Sequence, residues 1–210
     1  MKADMIPWEP VHLAGSLLQE HRHVCAFFRS FEQENRCLMP FVRDGFERGD
    51  RHVRFVQDDV GLVLAYLRGE GIDVDAAIAR RQLEVFDAHA TYLQGGVFDG
   101  NRMMADVKQI LDEGRELGFR RTRLIAHCEH MVSGSHSEAF LDHESRVNDV
   151  LQREDVVICT YDTDTLTAGQ ALDILRAHPV AIIEGTMREN PYYIPPDRLL
   201  RDFAERRSIQ

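Results

Sequence analysis

Short runs rich in Val, Ile and Phe alternate with amphipathic segments along nearly the whole chain, and this alternation constrains the fold more than any other feature. The apolar runs are His23-Val-Cys-Ala-Phe-Phe28, His52-Val-Arg-Phe-Val-Gln57, Leu83-Glu-Val-Phe86, Arg123-Leu-Ile-Ala126, Val156-Val-Ile-Cys-Thr-Tyr161 and Val180-Ala-Ile-Ile183. Between them the periodicity predicts helices over residues 31–48, stopped by Gly49, and over 59–69, 74–81, 137–151 and 167–177. Asp99 is placed as the N-cap of another helix ending near Gly118. Strands joined by helices form βαβ units around a mostly parallel sheet, and runs this apolar suit a sheet covered on both faces. The expectation is one doubly wound α/β domain, a three-layer sandwich, with no linker or internal repeat to divide residues 1–210.

Composition narrows the function. The formal net charge is −10 and no basic stretch occurs, so direct binding to nucleic acid is disfavoured, since that affinity comes from Lys and Arg displacing counterions. No apolar run approaches the roughly 20 residues of a membrane span. Residues 1–10 carry one Lys, two acids and two prolines, which is not a signal peptide. Cys25 and Cys159 sit in strand-like runs, Cys37 in a helix-like segment and Cys128 after a strand-like run; no CxxC occurs. Reduced thiols in a cytoplasmic protein fit this pattern better than disulfides.

In open α/β sheets the ligand sits beyond the carboxyl ends of the strands. That rule nominates Phe28 and Arg29 after the first apolar run, and Asp87, His89 and Tyr92 after the third. His127 and Glu129 follow the fourth, Tyr161 ends the fifth, and Asn190 and Tyr192 lie in Glu189-Asn-Pro-Tyr-Tyr193 beyond the sixth. Asp87 and His89 can cap and pack or offer hydrogen bonds to a ligand. Tyr92 can stack on a ligand or pack against the sheet, and the tyrosines of the last segment can form a lid or bury the tail.

The first connection, Phe28-Arg-Ser-Phe-Glu-Gln-Glu-Asn-Arg36, has neither the glycines that let backbone N–H groups wrap a phosphate nor the lysine that reaches its terminal oxygens. Glu32 and Glu34 stand where anions would bind, so ATP hydrolysis by the ordinary route is not expected. No cofactor is required. His127 and His130 have a spacing that could serve a metal, with His23 or His52 as a further ligand, but the sequence guarantees only two donors. His136 and His143 are placed on a loop and an exposed helix face. Cys128 and His127 are neighbours on a strand, point to opposite faces and are not expected to form a catalytic pair.

These segments resemble the MEDS domain, the methanogen/methylotroph sensory domain named for a dichloromethane-responsive regulator. The matching stretches are His23-Val-Cys-Ala-Phe-Phe28, Asp87-Ala-His-Ala-Thr-Tyr-Leu-Gln-Gly-Gly-Val-Phe-Asp99 with Arg102-Met103, Glu144-Ser-Arg-Val-Asn148 and Glu189-Asn-Pro-Tyr-Tyr193. They run in family order across about residues 10–196, and a charged helix over 197–207 follows. The resemblance implies a RecA/KaiC-like P-loop fold without a functional Walker A motif. It also implies a non-catalytic sensory role toward a small organic molecule, in a family associated with hydrocarbon derivatives and often attached to DNA-binding or kinase domains. In relatives the fourth strand leads into Gly-Glu-Met-like residues and a tryptophan; here it reads His127-Cys-Glu-His-Met131. Only 14 residues follow Pro196, too few for an output domain. The expectation is signalling through a regulatory partner (a kinase, an anti-sigma factor or a transcription regulator) or through homo-oligomerisation. The alternatives are a residual nucleotide-binding ATPase-like protein using Glu129, and a metal-binding sensor using the loop that carries His127 and His130.

Overall fold

The computed structural model describes residues 10–207 apart from 58, 134 and 153, without the side chains of 204, 206 and 207. The N-terminal stretch read above as no signal peptide lies outside them except for Pro10.

A small antiparallel hairpin, β1 (Val11–Leu13) and β2 (Ser16–Leu18), precedes the main sheet. The chain then alternates β3 (His23–Phe28), α1 (Phe31–Arg48), β4 (Arg51–Val56), α2 (Val60–Gly69), α3 (Val74–Ala79) and β5 (Leu83–Asp87). A one-turn α4 (Ala88–Tyr92) leads to α5 (Gly100–Glu116), β6 (Thr122–His127), α6 (Ser137–Val150), β7 (Val156–Asp162), α7 (Ala168–Ala177) and β8 (Val180–Ile183). The antiparallel β9 (Thr186–Glu189) and α8 (Pro196–Arg207) complete it. The seven strands are ordered β5-β4-β6-β7-β3-β8-β9, and every pair but the last is parallel. The α/β sandwich expected from the alternation is therefore present, with Asp99 capping α5 and Thr167 capping α7 through a capping box.

The strand period of two sends successive side chains to opposite faces, which makes two cores. Val24, Ala26, Ile125, Ile158 and Ile182 pack with Leu38 and Val42 of α1, Leu67 of α2 and Val74 of α3. Cys25, Phe27, Leu124, Val157 and Ala181 pack with Leu111 of α5, Phe140 of α6, Ile174 of α7 and Leu199 of α8. The last helix thus buries Leu199 and Phe203 against its own domain, and Arg176 of α7 ion-pairs with Asp202.

Charged residues inside the strands are explained at the amino end of the sheet. Arg123 is fully buried; its Nε donates to Asp50 Oδ2 at 2.7 Å and its Nη2 to Asp44 Oδ2 at 2.7 Å. Arg51 Nη2 donates to Glu84 at 2.8 Å and to Glu113 at 2.9 Å. These pairs hold α1 and α5 onto the start of β4 and β6. Two glycines allow the approach: a Cβ on Gly45 would lie 2.3 Å from His52 Nε2, and one on Gly114 would lie 2.3 Å from Thr122 Oγ1.

Two elements differ from the sequence expectation. The hairpin β1–β2 has strands of three residues joined through Ala14 and Gly15, both at positive φ, too short for an alternation to register. The polar edge strand β9 was not anticipated either. It turns the chain back through Glu184 and Gly185, so Glu189 pairs with Val180 at the amino end of β8.

Candidate functional site

α1 leaves the carboxyl end of β3 on one face of the sheet and α7 leaves the neighbouring β7 on the other. A crevice therefore opens between the two strands, where an open α/β sheet places its ligand. A cavity of about 260 Å³ lies at these strand ends. Its walls are Phe28, Ser30 and Phe31 from the β3–α1 junction, Glu34 from α1, Gln57 after β4, His127 and Glu129 around the end of β6, and Thr160, Tyr161 and Asp162 from β7.

The junction that would carry a phosphate loop is closed by its own side chains. Ser30 is the N-cap of α1, its Oγ accepting from the Gln33 N–H at 3.2 Å, and Gln33 Oε1 accepts from the Arg29 N–H at 2.8 Å. One turn into the helix, Glu34 is buried with Oε1 3.1 Å from His127 Nε2. Burial alone would raise the Glu34 carboxyl, but His127 and the buried Arg54 outweigh it and hold it below the usual range. Burial likewise opposes charge on His127, and Glu34 outweighs it and raises the imidazole. The two form an ion pair across the cavity wall.

Glu129 is raised, chiefly by burial, with Glu34 and Asp162 adding to the effect. With its amide nitrogen turned toward Glu129, Gln57 donates to Oε1 at 2.8 Å and its oxygen accepts from the His130 backbone N–H at 3.3 Å. Asp162 caps the single turn 163–165 by accepting from the Asp164 N–H at 2.9 Å. Three carboxylates and one imidazole thus border a space smaller than a drug-sized pocket. Such a lining suits a small hydrogen-bonding molecule, neutral or cationic, and repels a polyphosphate.

Over residues 22–179 the chain matches the family described as MEDS: MEthanogen/methylotroph, DcmR Sensory domain. It belongs to the MEDS family. No curated protein matches it. Among solved structures, an uncharacterized protein from Pyrococcus horikoshii, crystallised in complex with an unknown peptide, superposes with a TM-score of 0.57 at 10% identity. That alignment covers 80% of this chain and 78% of the other. A KaiC-like protein from Pyrococcus horikoshii OT3 gives a TM-score of 0.55 at 11% identity, covering 77% and 70%. At such identities the likeness is one of fold: this MEDS domain is built as KaiC-like proteins are.

Of the residues nominated from sequence, the MEDS fold brings Phe28, His127, Glu129 and Tyr161 to the cavity. Tyr161 is buried, and its hydroxyl donates away from the cavity to Glu144 Oε2 at 3.2 Å. Arg29 is exposed and borders a separate groove with Glu184 and Arg36. Asp87 caps α4, accepting from the Ala90 N–H at 2.6 Å, and His89 is exposed beside His130, their rings 6.0 Å apart. Tyr92 packs in the core against Phe55, Phe98 and Phe140, with its hydroxyl 3.5 Å from Cys128 Sγ.

Asn190 and Tyr192 need a correction. Because β9 is antiparallel, both lie at the amino end of the sheet, away from the cavity. Asn190 Nδ2 donates to the carbonyls of Leu175 and His178, and Tyr192 is 59% exposed. His143 is also corrected: it is buried, its ring 5.8 Å from that of Phe98.

The His127–His130 loop does not assemble a metal site among the described residues. His127 is engaged by Glu34 and His130 by Gln57, while His23 and His52 lie at the amino ends of their strands. Ser30 and Asp162, just beyond the first and fifth apolar runs, also answer to the strand-end rule, whereas the wall residues Phe31, Glu34, Gln57 and Thr160 were not nominated as ligand contacts. Gln57 ends an apolar run and Thr160 stands one place before the end of another, the signal that could have found them.

Proposed function

We propose that this MEDS domain is a sensory module that binds a small polar molecule, neutral or cationic, in the strand-end cavity. The observation that carries this reading is the Glu34–His127 ion pair, which occupies the place at the start of α1 where a P-loop protein holds phosphate. The carboxylates of Glu34, Glu129 and Asp162 favour amine and hydroxyl groups over anions and over purely apolar molecules. Binding is read out through a regulatory partner protein, since the cavity contains no phosphate cradle with which to drive a hydrolysis cycle. α8 is already committed to its own domain, so the partner uses another surface.

The test is a thermal-shift screen of small amines, amides and alcohols, alongside nucleotides, on the wild type and Glu34→Gln. A ligand present at roughly one hundred times its Kd stabilises the folded state by about 2.7 kcal/mol. The expected result is a clear rise in Tm with members of the polar set, reduced in Glu34→Gln, and no rise with Mg·ATP. Stabilisation by Mg·ATP with turnover abolished by Glu129→Gln would replace this reading with that of an ATPase.

A further inference from the structure

A second cluster of reactive side chains lies on the other side of the sheet from the Glu34–His127 pair, near the amino ends of the strands. His23 opens β3, Glu144 projects from α6, Cys159 sits in mid β7, and His178 caps the C-terminus of α7 before β8. All four are essentially inaccessible to solvent, and one donor atom of each lies within 4.8 Å of the others. We propose that these four side chains form a structural zinc site inside the domain.

The donor set matches the ion. Zinc takes imidazole nitrogen, thiolate sulfur and carboxylate oxygen at about 2.0–2.3 Å in a tetrahedron, which separates neighbouring donors by about 3.3–3.7 Å. Here His23 Nε2 is 3.5 Å from Cys159 Sγ and 3.7 Å from Glu144 Oε2, and His178 Nε2 is 3.0 Å from Glu144 Oε2. Small adjustments of side-chain torsions close this set around one ion. Four protein ligands with no access for water or substrate are the mark of a structural rather than a catalytic site.

The hydrogen bonds around the cluster point the same way. His178 Nδ1 lies 2.8 Å from the Ile174 carbonyl, which fixes the proton on that nitrogen and leaves Nε2 as the lone-pair atom. Nε2 faces Glu144 Oε2 at 3.0 Å, and in the neutral imidazole these are two lone-pair atoms side by side. Two acceptors held together in a dry core are costly unless a cation, either a proton or a metal ion, joins them. Tyr161 supplies the outer partner expected of a ligating carboxylate, donating to Glu144 Oε2 at 3.2 Å.

Charge balances as well. Zinc contributes two positive charges, the Glu144 carboxylate and the Cys159 thiolate one negative charge each, and both imidazoles bind neutral, so the filled site is neutral. The thiol proton of Cys159 is released to solvent on binding. The ion would tie β3, β7, α6 and the α7–β8 junction together.

The experiment is metal analysis of the full chain purified without a histidine tag, followed by chelation and titration with Co²⁺ as the probe. One equivalent of zinc per chain is expected. The cobalt form should show tetrahedral d–d bands with a thiolate charge-transfer band that disappears in Cys159→Ser. Because a core variant can fail to fold, Tyr161→Phe is measured too; losing the outer hydrogen bond should weaken cobalt affinity by about 10-fold while circular dichroism stays unchanged. Sub-stoichiometric zinc together with no cobalt spectrum from folded, chelated protein would overturn the proposal. So would a cobalt spectrum without a thiolate band, or one indifferent to Tyr161→Phe.

Discussion

Glu34 in the first turn of α1 and His127 at the end of β6 hold each other at 3.1 Å, although 93 residues separate them in the chain. The carboxyl is lowered from 4.5 and the imidazole raised from 6.5. The stability that Glu34 gains is therefore complete above pH 4.5 and lost as pH falls through its folded pKa. The gain from His127 is complete below pH 6.5 and lost as pH rises through its folded pKa. Glu34→Gln should cost about 1–3 kcal/mol, the scale of a charge-assisted hydrogen bond. Urea unfolding should show the gap from wild type widest between pH 4.5 and 6.5 and narrowing on both sides. A gap independent of pH would deny the ion pair.

Gly45 is a point of close approach between α1 and strands β4 and β6. A methyl group there meets the imidazole of His52 and the Arg123 side chain at 2.8 Å, and both belong to a fully buried, hydrogen-bonded region. Gly45→Ala should destabilise by about 1–3 kcal/mol through overpacking, against the stabilisation that Ala normally brings to a helix interior. Denaturation midpoints of this variant and of Gly69→Ala, where a Cβ meets open space, make the comparison.

Tyr92 discriminates packing from ligand contact. Its ring is enclosed by Phe55, Phe98 and Phe140, so Tyr92→Ala should cost about 3–5 kcal/mol, the range for removing a large core aromatic. Tyr92→Phe should retain ligand affinity, measured by calorimetry with any hit from the polar screen. A loss of affinity in Tyr92→Phe at unchanged stability would place the hydroxyl in the site.

Much of the sheet was legible because its strands are buried on both faces. Runs such as Val156-Val-Ile-Cys-Thr-Tyr161 leave few other readings, and the cap Asp99 marked its helix by type and position. The hairpin β1–β2 and the edge strand β9 were not legible, being too short or too polar for a period of two to stand out. Missing β9 misplaced Asn190 and Tyr192, since one antiparallel strand reverses the end of the sheet at which its successors emerge. Phe28, His127 and Glu129 could be found because strand ends imply a site. The meeting of His23, Glu144, Cys159 and His178 could not, because four elements spread over more than half the chain supply it and strand order is not written in any one of them.

The absence of glycine and lysine between Phe28 and Arg36 excluded a phosphate loop from the sequence alone, and the fold gives that departure a positive content: a carboxylate-lined cavity with an ion pair in its wall. Backbone amide chemical-shift mapping, with a polar hit and Mg·ATP titrated separately into the wild type, tests this most directly. The account predicts that the polar ligand shifts amides around Ser30, Glu34, Gln57, Glu129 and Asp162, while Mg·ATP leaves them unmoved. Shifts at Ser30 and Glu34 on adding Mg·ATP, with none from the polar ligand, would contradict it.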